Sequence, residues 1–578
     1  MDNANSLITE HIDIWTAAIK KRSSQGRGSN KKIELTGIKK LRELILELAV
    51  RGKLVPQDPN DEPASVLLEK IAAEKELLIK DKKIKKPKVL PEIGDDEKSF
   101  ELPDGWVWLR LIESYYSISP SGNKLKGSEI KEEGNYPVVD QGQSFIAGYT
   151  ELKELLIEIP QPVIVFGDHT TNIKYINFNF VAGADGTKIL SPILIYPRYF
   201  YTYLLNYDLE NRGYARHFKV LNDNLIAIPS LAEQHRIVAK VDELMLLCDQ
   251  LEQQTEDSIT AHQTLVETLL ATLTSSENTE ALTAKEGGNE GNAGAISFES
   301  NWARIAEHFD TLFTTEHSID QLKQTILQLA VMGKLVPQNP NDEPASVLLE
   351  KIAAEKEQLI KDKKIKKQKL LPAITEAEKS FELPMGWKWI RLDSLFNIIV
   401  DCPHSTAKFQ DSGRLCIDTN SFKQGKLHKH KFRFVSKEVF DKRNVRLVPQ
   451  SQDIVFAREG SVGESVVIPD NFECCLGQRI MLFRPSKTLN SEFLRLTISC
   501  QGALTKLLSM HKGIGAKHVN VKDMRAYPVC LPPTQEQHLI VAKVDELLNL
   551  CDQLKARLSE SQTIQRHLAD AIVEQSVG

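Results

Sequence analysis

Apolar residues recur at alternating steps of four and three from Glu233 onward, at Ile237, Val241, Leu244, Cys248 and Leu251. That spacing keeps one stripe of a helix turned toward a partner helix, the a/d seam of coiled-coil packing. A second run, Ile540, Val544, Leu547, Cys551 and Leu554, repeats it. Continued through Val266 and Leu269 to about Leu273, the first helix would hold roughly forty residues and reach about 60 Å at about 1.5 Å per residue. A returning helix is expected around Trp302 to Val331, with Ile319, Leu322, Ile326 and Leu329 on one face. Near the start of the chain Ile38, Leu41, Leu44, Ile45 and Leu48 form the same pattern. Between the long helix and the returning one, Thr274 to Ala295 carries Gly287, Gly288, Gly291 and Gly294 among Ser, Asn and Glu and reads as a flexible connector.

Elsewhere the period changes. QPVIVFGDH, KYINFNFVAG and DIVFAREGSVGESVVIP are short alternating runs broken by Gly, Pro, Asn and Asp, the pattern of mixed α/β domains rich in short strands. FELPDGW and FELPMGW stand at the entrances to these regions. Their Trp106 and Trp387 are expected to pack beneath the domains rather than stack on bases. In NDEPASVLLEKIAAEKE, Asn60 or Asp61 is the expected N-cap, with Pro63 in the first turn.

Internal duplication organises these pieces. Residues 53–111 recur at 334–392 with about 48 of 59 positions identical, at an offset of 281. SLAEQHRIVAKVDELMLLCDQL, from Ser230, matches PPTQEQHLIVAKVDELLNLCDQL at an offset of 303. The stretches between, roughly 112–229 and 393–531, do not resemble each other and account for the 22-residue change in offset. Near-identical segments require near-identical structure, whereas divergent ones are free to bind different things. The order is also circular: the two ends of the chain each hold half of the unit found complete in the middle. If those ends meet, they make a second copy, a pseudo-twofold object of two similar helical spacers and two different heads.

Composition changes the picture little. A net charge of −5 and a pI near 6.3 give no overall basic signature, so affinity for nucleic acid would have to come from local patches. No apolar run approaches the roughly 20 residues of a membrane span, no leader-like start is evident, and a cytoplasmic location is expected. The eight cysteines form no C-x-x-C pair, so no metal site is expected; Cys248 and Cys551 fit buried thiols on apolar stripes.

Local patches do exist. Lys423 to Arg446 holds nine Lys or Arg against two acids, Lys429, Lys431 and Arg433 among them, with His428, His430, Phe432 and Phe434 interleaved. It reads as a nucleic-acid patch or as a solvated strand edge. DIVFAREGSVG sets Arg458, Glu459 and Ser461 on a Gly-rich turn after an apolar strand. There Arg458 either addresses guanine O6 and N7 or orders its own loop. FGDHTTNIK offers Asp168, His169, Thr170, Thr171 and Lys174, and RGYARHFK offers Arg212, Arg216, His217 and Lys219. Lys512, Lys517 and His518 stand at the corresponding place in the second head. The lysines that follow the IAAEKE helix (Lys80, Lys82, Lys83, Lys85, Lys86 and Lys88, repeated from Lys361 to Lys369) are a solvated face, a phosphate contact or a docking surface for another subunit.

Motifs for covalent chemistry are missing. The Pro532-Pro533 pair is followed by Thr-Gln, not by the aromatic that an amino-methyltransferase loop requires. No G-x-x-x-x-G-K-[ST], G-x-S-x-G or H-E-x-x-H occurs, so no catalytic residue is assigned. Scattered carboxylates leave a nuclease or self-sufficient methyltransferase open as one alternative. An architectural coiled-coil DNA binder is another.

LRELILELAVRGKLVPQDPNDEPASVLLEKIAAEKE and PPTQEQHLIVAKVDEL resemble the repeated regions of type I restriction-modification specificity (S) subunits, HsdS, and are most like the IB branch. FGDHT, DCPHST and FAREGSVG are the recognisable pieces of the heads, which adds His404 and Ser405 to the candidate DNA-binding residues. The resemblance implies an α+β chain: two mixed α/β target-recognition domains separated by long antiparallel coiled-coil-like helices in a circular pseudo-twofold arrangement. Its parts are a helical repeat region at 1–103, the first recognition domain at 104–229, a central spacer at 230–384, the second recognition domain at 385–531, and a C-terminal spacer at 532–578. It further implies that each domain reads one half of a bipartite site on double-stranded DNA. Two modification subunits carrying S-adenosylmethionine and two restriction subunits using ATP and Mg would supply the chemistry, with no cofactor bound by this chain.

Overall fold

The structure, a computed structural model, describes residues 8–21, 33–86, 90–119, 125, 127–183, 186–207, 216–274, 298–403, 405–509 and 518–577. Six helices build the frame: α1 (Thr36–Val50), α2 (Ala64–Lys80), α3 (Leu231–Thr274), α4 (Glu316–Val331), α5 (Ala345–Lys361) and α6 (Thr534–Val577). The chain divides into two compact units, Met1–Ser258 with Glu560–Gly578, and Ile259–Ser559. Each 44-residue helix therefore begins in one unit and ends in the other.

In the first unit the predicted stripe is turned inward: Ile237, Val241, Leu244 and Cys248 are buried, and Leu251 is half-buried. Arg42 of α1 bridges Asp249 and Glu252 of α3, both at 2.6 Å. The end of the chain lies on the same helix: Lys40 faces Asp570 at 3.5 Å, and Lys53 Nζ donates to the Val577 carbonyl at 2.9 Å. The two ends of the sequence thus meet. In the second unit Ile540, Val544 and Cys551 are buried, with Leu547 and Leu554 packed against the same core. Here Lys323 pairs with Asp552, and Lys555 with Asp320 at 2.8 Å. Position for position, Asp320 and Lys555 replace Lys39 and Glu252 of the first unit, so this pair of charges is reversed between the two copies.

Three repeated motifs converge on one joint in each unit. Gln57 and Trp106 donate to the two carboxylate oxygens of buried Glu233 at 3.1 and 3.0 Å. Gln338 and Trp387 do the same to Glu536 at 3.1 and 2.9 Å. Burial pushes both carboxyl pKa values up, and the two donors pull them back. Gly52 and Gly333 take φ of +68° and +71°, and a Cβ there would fall 2.8 or 2.9 Å from the tryptophan ring, so glycine alone fits. The next residue of the helix, Gln234 or Gln537, accepts from the backbone N–H of Tyr196 or Asn490 at 2.8 or 3.1 Å and ties the head to its long helix.

The heads share a strand plan despite their unlike sequences. In the first, Tyr115–Ile118, Thr187–Pro192, Val163–Gly167 and Ile173–Ile176 make an antiparallel sheet in that spatial order. A second sheet runs Gly148–Thr150, Tyr136–Val139, Phe180–Ala182, Leu156–Ile157, with one parallel pair, Val181 opposite Val138. In the second head Phe396–Asp401, Ile480–Pro485, Ile454–Ala457 and Ser465–Val467 form the first sheet. Its other sheet has the parallel pair Cys416 opposite Cys475. Each head is closed at its base by pairing of its first and last strands, Val107–Arg110 with Leu225–Ile228 and Lys388–Arg391 with Pro528–Leu531.

Three local expectations are corrected. The N-cap of α2 is Pro63, not Asn60 or Asp61, because the Ala64 N–H is satisfied by the Gly105 carbonyl. Asp61 is instead engaged by Arg236 and Ser230. The returning helix is not continuous: it is broken into Phe298–Glu307, Phe309–Leu312 and α4, because Thr315 caps α4 through a reciprocal bond with Ser318. Thr274 closes α3, and the rest of the expected connector lies outside the described residues.

Candidate nucleic-acid interface

Each head carries a loop cluster where the central strand of its first sheet ends. In the first head the chain leaves Val163–Gly167, turns through Asp168–Asn172 with Thr171 at φ +58°, and returns as Ile173–Ile176. Asp168 knits this turn to two other segments. Its N–H donates to Gly186 at 2.8 Å, its carbonyl accepts from His217 N–H at 2.9 Å, and its carboxylate accepts from Phe218 N–H at 2.9 Å. Sequence-distant residues 168–171 and 216–219 are thereby brought together.

Not all of them face outward. Asp168 and His217 are buried, and so is Lys174, whose Nζ donates to the Asp140 and Ser144 carbonyls at 2.8 and 2.6 Å. Desolvation pushes the Lys174 pKa down while Asp140 opposes it. These three hold the loops in place. Thr170, Arg216 and Lys219 are exposed, and His169 and Thr171 half-exposed. Gln141, which sequence reading passed over, anchors the turn: its carbonyl accepts from Thr170 Oγ1 and Asn172 Nδ2, and its Oε1 from His169 N–H. Nothing in VVDQGQ marks it beforehand. Arg212 lies outside the described residues.

The second head repeats the construction with different side chains. Arg458 stands where Asp168 stands: its N–H donates to the Arg479 carbonyl at 3.0 Å and its own carbonyl accepts from Val519 N–H at 3.0 Å. Its guanidinium pairs with Asp401, and only 13% of the side chain is exposed. Of the two readings open for Arg458, ordering its own loop is the one the geometry favours. Glu459 bridges to His518 through the backbone, both half-exposed, and Ser461 is exposed. Lys429, Lys431 and Arg433 are exposed too, but they belong to the other sheet and the turn before it. Arg433 lies over the Phe409 ring at 3.3 Å and pairs with Asp418 at 3.3 Å. Ser405 is exposed, whereas His404, Lys512 and Lys517 fall outside the described residues. The lysines after α2 and α5 are exposed wherever described, and Lys88 is not among them.

Exposed cations, hydroxyls and a Gly-rich turn at the end of a rigid sheet can meet phosphates and base edges. Among the described residues no helix is long and apolar enough to cross a membrane.

The type I restriction modification DNA specificity domain matches residues 116–261 and 384–561. The chain is similar to the specificity subunit of the type I restriction enzyme EcoAI of Escherichia coli, with 40% identity covering 100% of both chains. It is similar also to the EcoEI specificity subunit of the same organism, with 39% identity over 98% of each. Among solved structures, the HsdS subunit of Thermoanaerobacter tengcongensis is 17% identical over 83% of this chain and 98% of that one, with a TM-score of 0.32.

Proposed function

The chain belongs to the specificity-subunit family of type I restriction-modification systems, and from that premise we propose that its two heads read the two halves of one split DNA site. DNA sequence recognition is its part in the system, with catalysis carried by partner subunits. The observation that carries the two-headed reading is the contrast between identical joints and unlike loop clusters. Glu233 and Glu536 meet the same donor types at distances that agree within about 0.1 Å, while Asp168 and Arg458 occupy one backbone position with opposite charge.

On this reading the frame seats two modification subunits on its two near-identical surfaces, and two restriction subunits join them. S-adenosylmethionine, ATP and Mg belong to those partners, and this chain binds no cofactor of its own. The long helices act as a ruler, since half-sites on one face of B-DNA recur at about 34 Å or its multiples. Phosphate contacts from exposed lysines set the register, and loop side chains at the sheet ends supply the sequence. Mapping methylated adenines in cells with and without this chain tests the proposal. A split motif that appears only with the chain is the expected result, and identical methylation in both strains overturns it.

A further inference from the structure

Arg479 has a left-handed backbone, φ +67°, where the steric fit of any side chain is poor. Its counterpart in the first head is a glycine. The equivalence is fixed by backbone hydrogen bonds: Gly186 accepts from Asp168 N–H and Arg479 from Arg458 N–H, each just before the strand that pairs with the turn's own strand. Gly186, at φ +96°, fills the position without strain. The second head keeps an arginine there against the preference of its own backbone.

What surrounds that arginine leaves it poised. Half of the side chain, 52%, is exposed, beside the turn carrying Glu459, Gly460 and Ser461. Glu459 Oε1 approaches at 3.5 Å, and it does so from the Nε side. Among the described residues the two terminal nitrogens of Arg479 have no partner. Other arginines of this head differ in that a carboxylate meets a terminal nitrogen: Asp401 at Arg458, Asp418 at Arg433 and Glu473 at Arg414. A guanidinium with a carboxylate beside Nε and its Nη edge open can donate two parallel hydrogen bonds to guanine O6 and N7 in the major groove.

We propose that Arg479 is a specificity-determining residue of the second head, reading a guanine in its half-site, with Glu459 as the positioning residue that orients the fork. The inference rests on the two-headed reading above. Its test uses the full chain with its modification partner and duplexes in which each base pair of the wild-type split site is replaced in turn. Arg479→Gly restores the residue type that the backbone prefers, so folding is spared while the reader is removed. The expected result is a loss of about 5- to 150-fold in affinity for the wild-type site, from the worth of one bidentate contact. Discrimination should relax at one G·C pair, with the other half-site read unchanged. Arg479→Lys keeps donors for guanine O6 and N7 without the rigid fork, so it should retain the preference for that G·C pair at reduced affinity, between the wild type and Arg479→Gly. An unchanged base profile, or a uniform loss with a shallower salt dependence and no relaxed position, overturns the assignment. A wild-type complex that recognises no split site sinks the two-headed reading instead, and the two failures are told apart by that control.

Discussion

The joint at Glu536 can be probed by a double-mutant cycle with Trp387. Both residues are buried, and Glu536 Oε2 accepts from Trp387 Nε1 at 2.9 Å while Oε1 accepts from Gln338 at 3.1 Å. Glu536→Ala leaves the buried Trp387 Nε1–H unsatisfied, worth about 1–3 kcal/mol, while half-buried Gln338 keeps its bonds to the Gly333 and Val336 carbonyls. Relief of the buried carboxylate's desolvation, which already pushes its pKa up, offsets part of this. A net loss of about 1–2 kcal/mol is expected. Trp387→Phe removes one donor and leaves a small void, and the cycle cancels the void. The coupling between the two should be about 1.5–3 kcal/mol, the range for a hydrogen bond to a charged group. Urea unfolding of the full-length wild type, both single variants and the double variant measures it by circular dichroism. The Glu233 and Trp106 cycle should give the same value, because its distances match. Additivity to within about 0.5 kcal/mol in both joints would refute the claim that these repeated motifs are there to make this contact.

Three further outcomes are expected. Arg458→Ala removes the ion pair with Asp401 and should lower the melting temperature while leaving base preference intact; a relaxed base position with unchanged stability would return Arg458 to the role of reader. Lys555→Glu sets a carboxylate against Asp320 and Glu316 and should destabilise by about 1 kcal/mol, a modest value because these groups are partly exposed, with Asp320→Lys restoring it; no rescue in thermal melts contradicts the pairing. Hydrogen bonds from Arg110 and Arg391 hold the Glu97 and Glu378 carboxyls at about 2, below their ordinary value. Their contribution is therefore present above the unfolded pKa and lost as pH falls through about 2, so replacing both arginines with methionine should move acid unfolding to higher pH, and an unmoved midpoint counts against the clamps.

The frame was legible because its signals are local and doubled. Seam residues such as Val241 and Val544 show a helical period, and repetition of KLVPQ, ELPxGW and the EQH pair marked three segments that share one environment. What they share, a carboxylate between Gln57 and Trp106, could not be read, since residues 57, 106 and 233 meet only through tertiary packing. The common strand plan of the heads was hidden for a related reason. Its parallel pair joins Val138 to Val181 across four intervening strands, and such non-local pairing leaves no trace in local alternation. Among candidate readers, composition found the cations without separating those tied inward, such as Lys174, from those left open. Arg479 was missed because its signal is a backbone angle, and QRI before an apolar strand looks like any other strand entrance.

Exchange of one head tests the central claim most directly. Residues 388–531 are replaced by the corresponding head of a relative with a different recognition sequence, and methylated adenines are mapped across the genome of cells carrying the chimera and its modification partner. The account predicts a new motif in which one half-site changes while the other half and the spacing between them stay as in the wild type. A chimera that alters both halves, or leaves both unaltered, contradicts it.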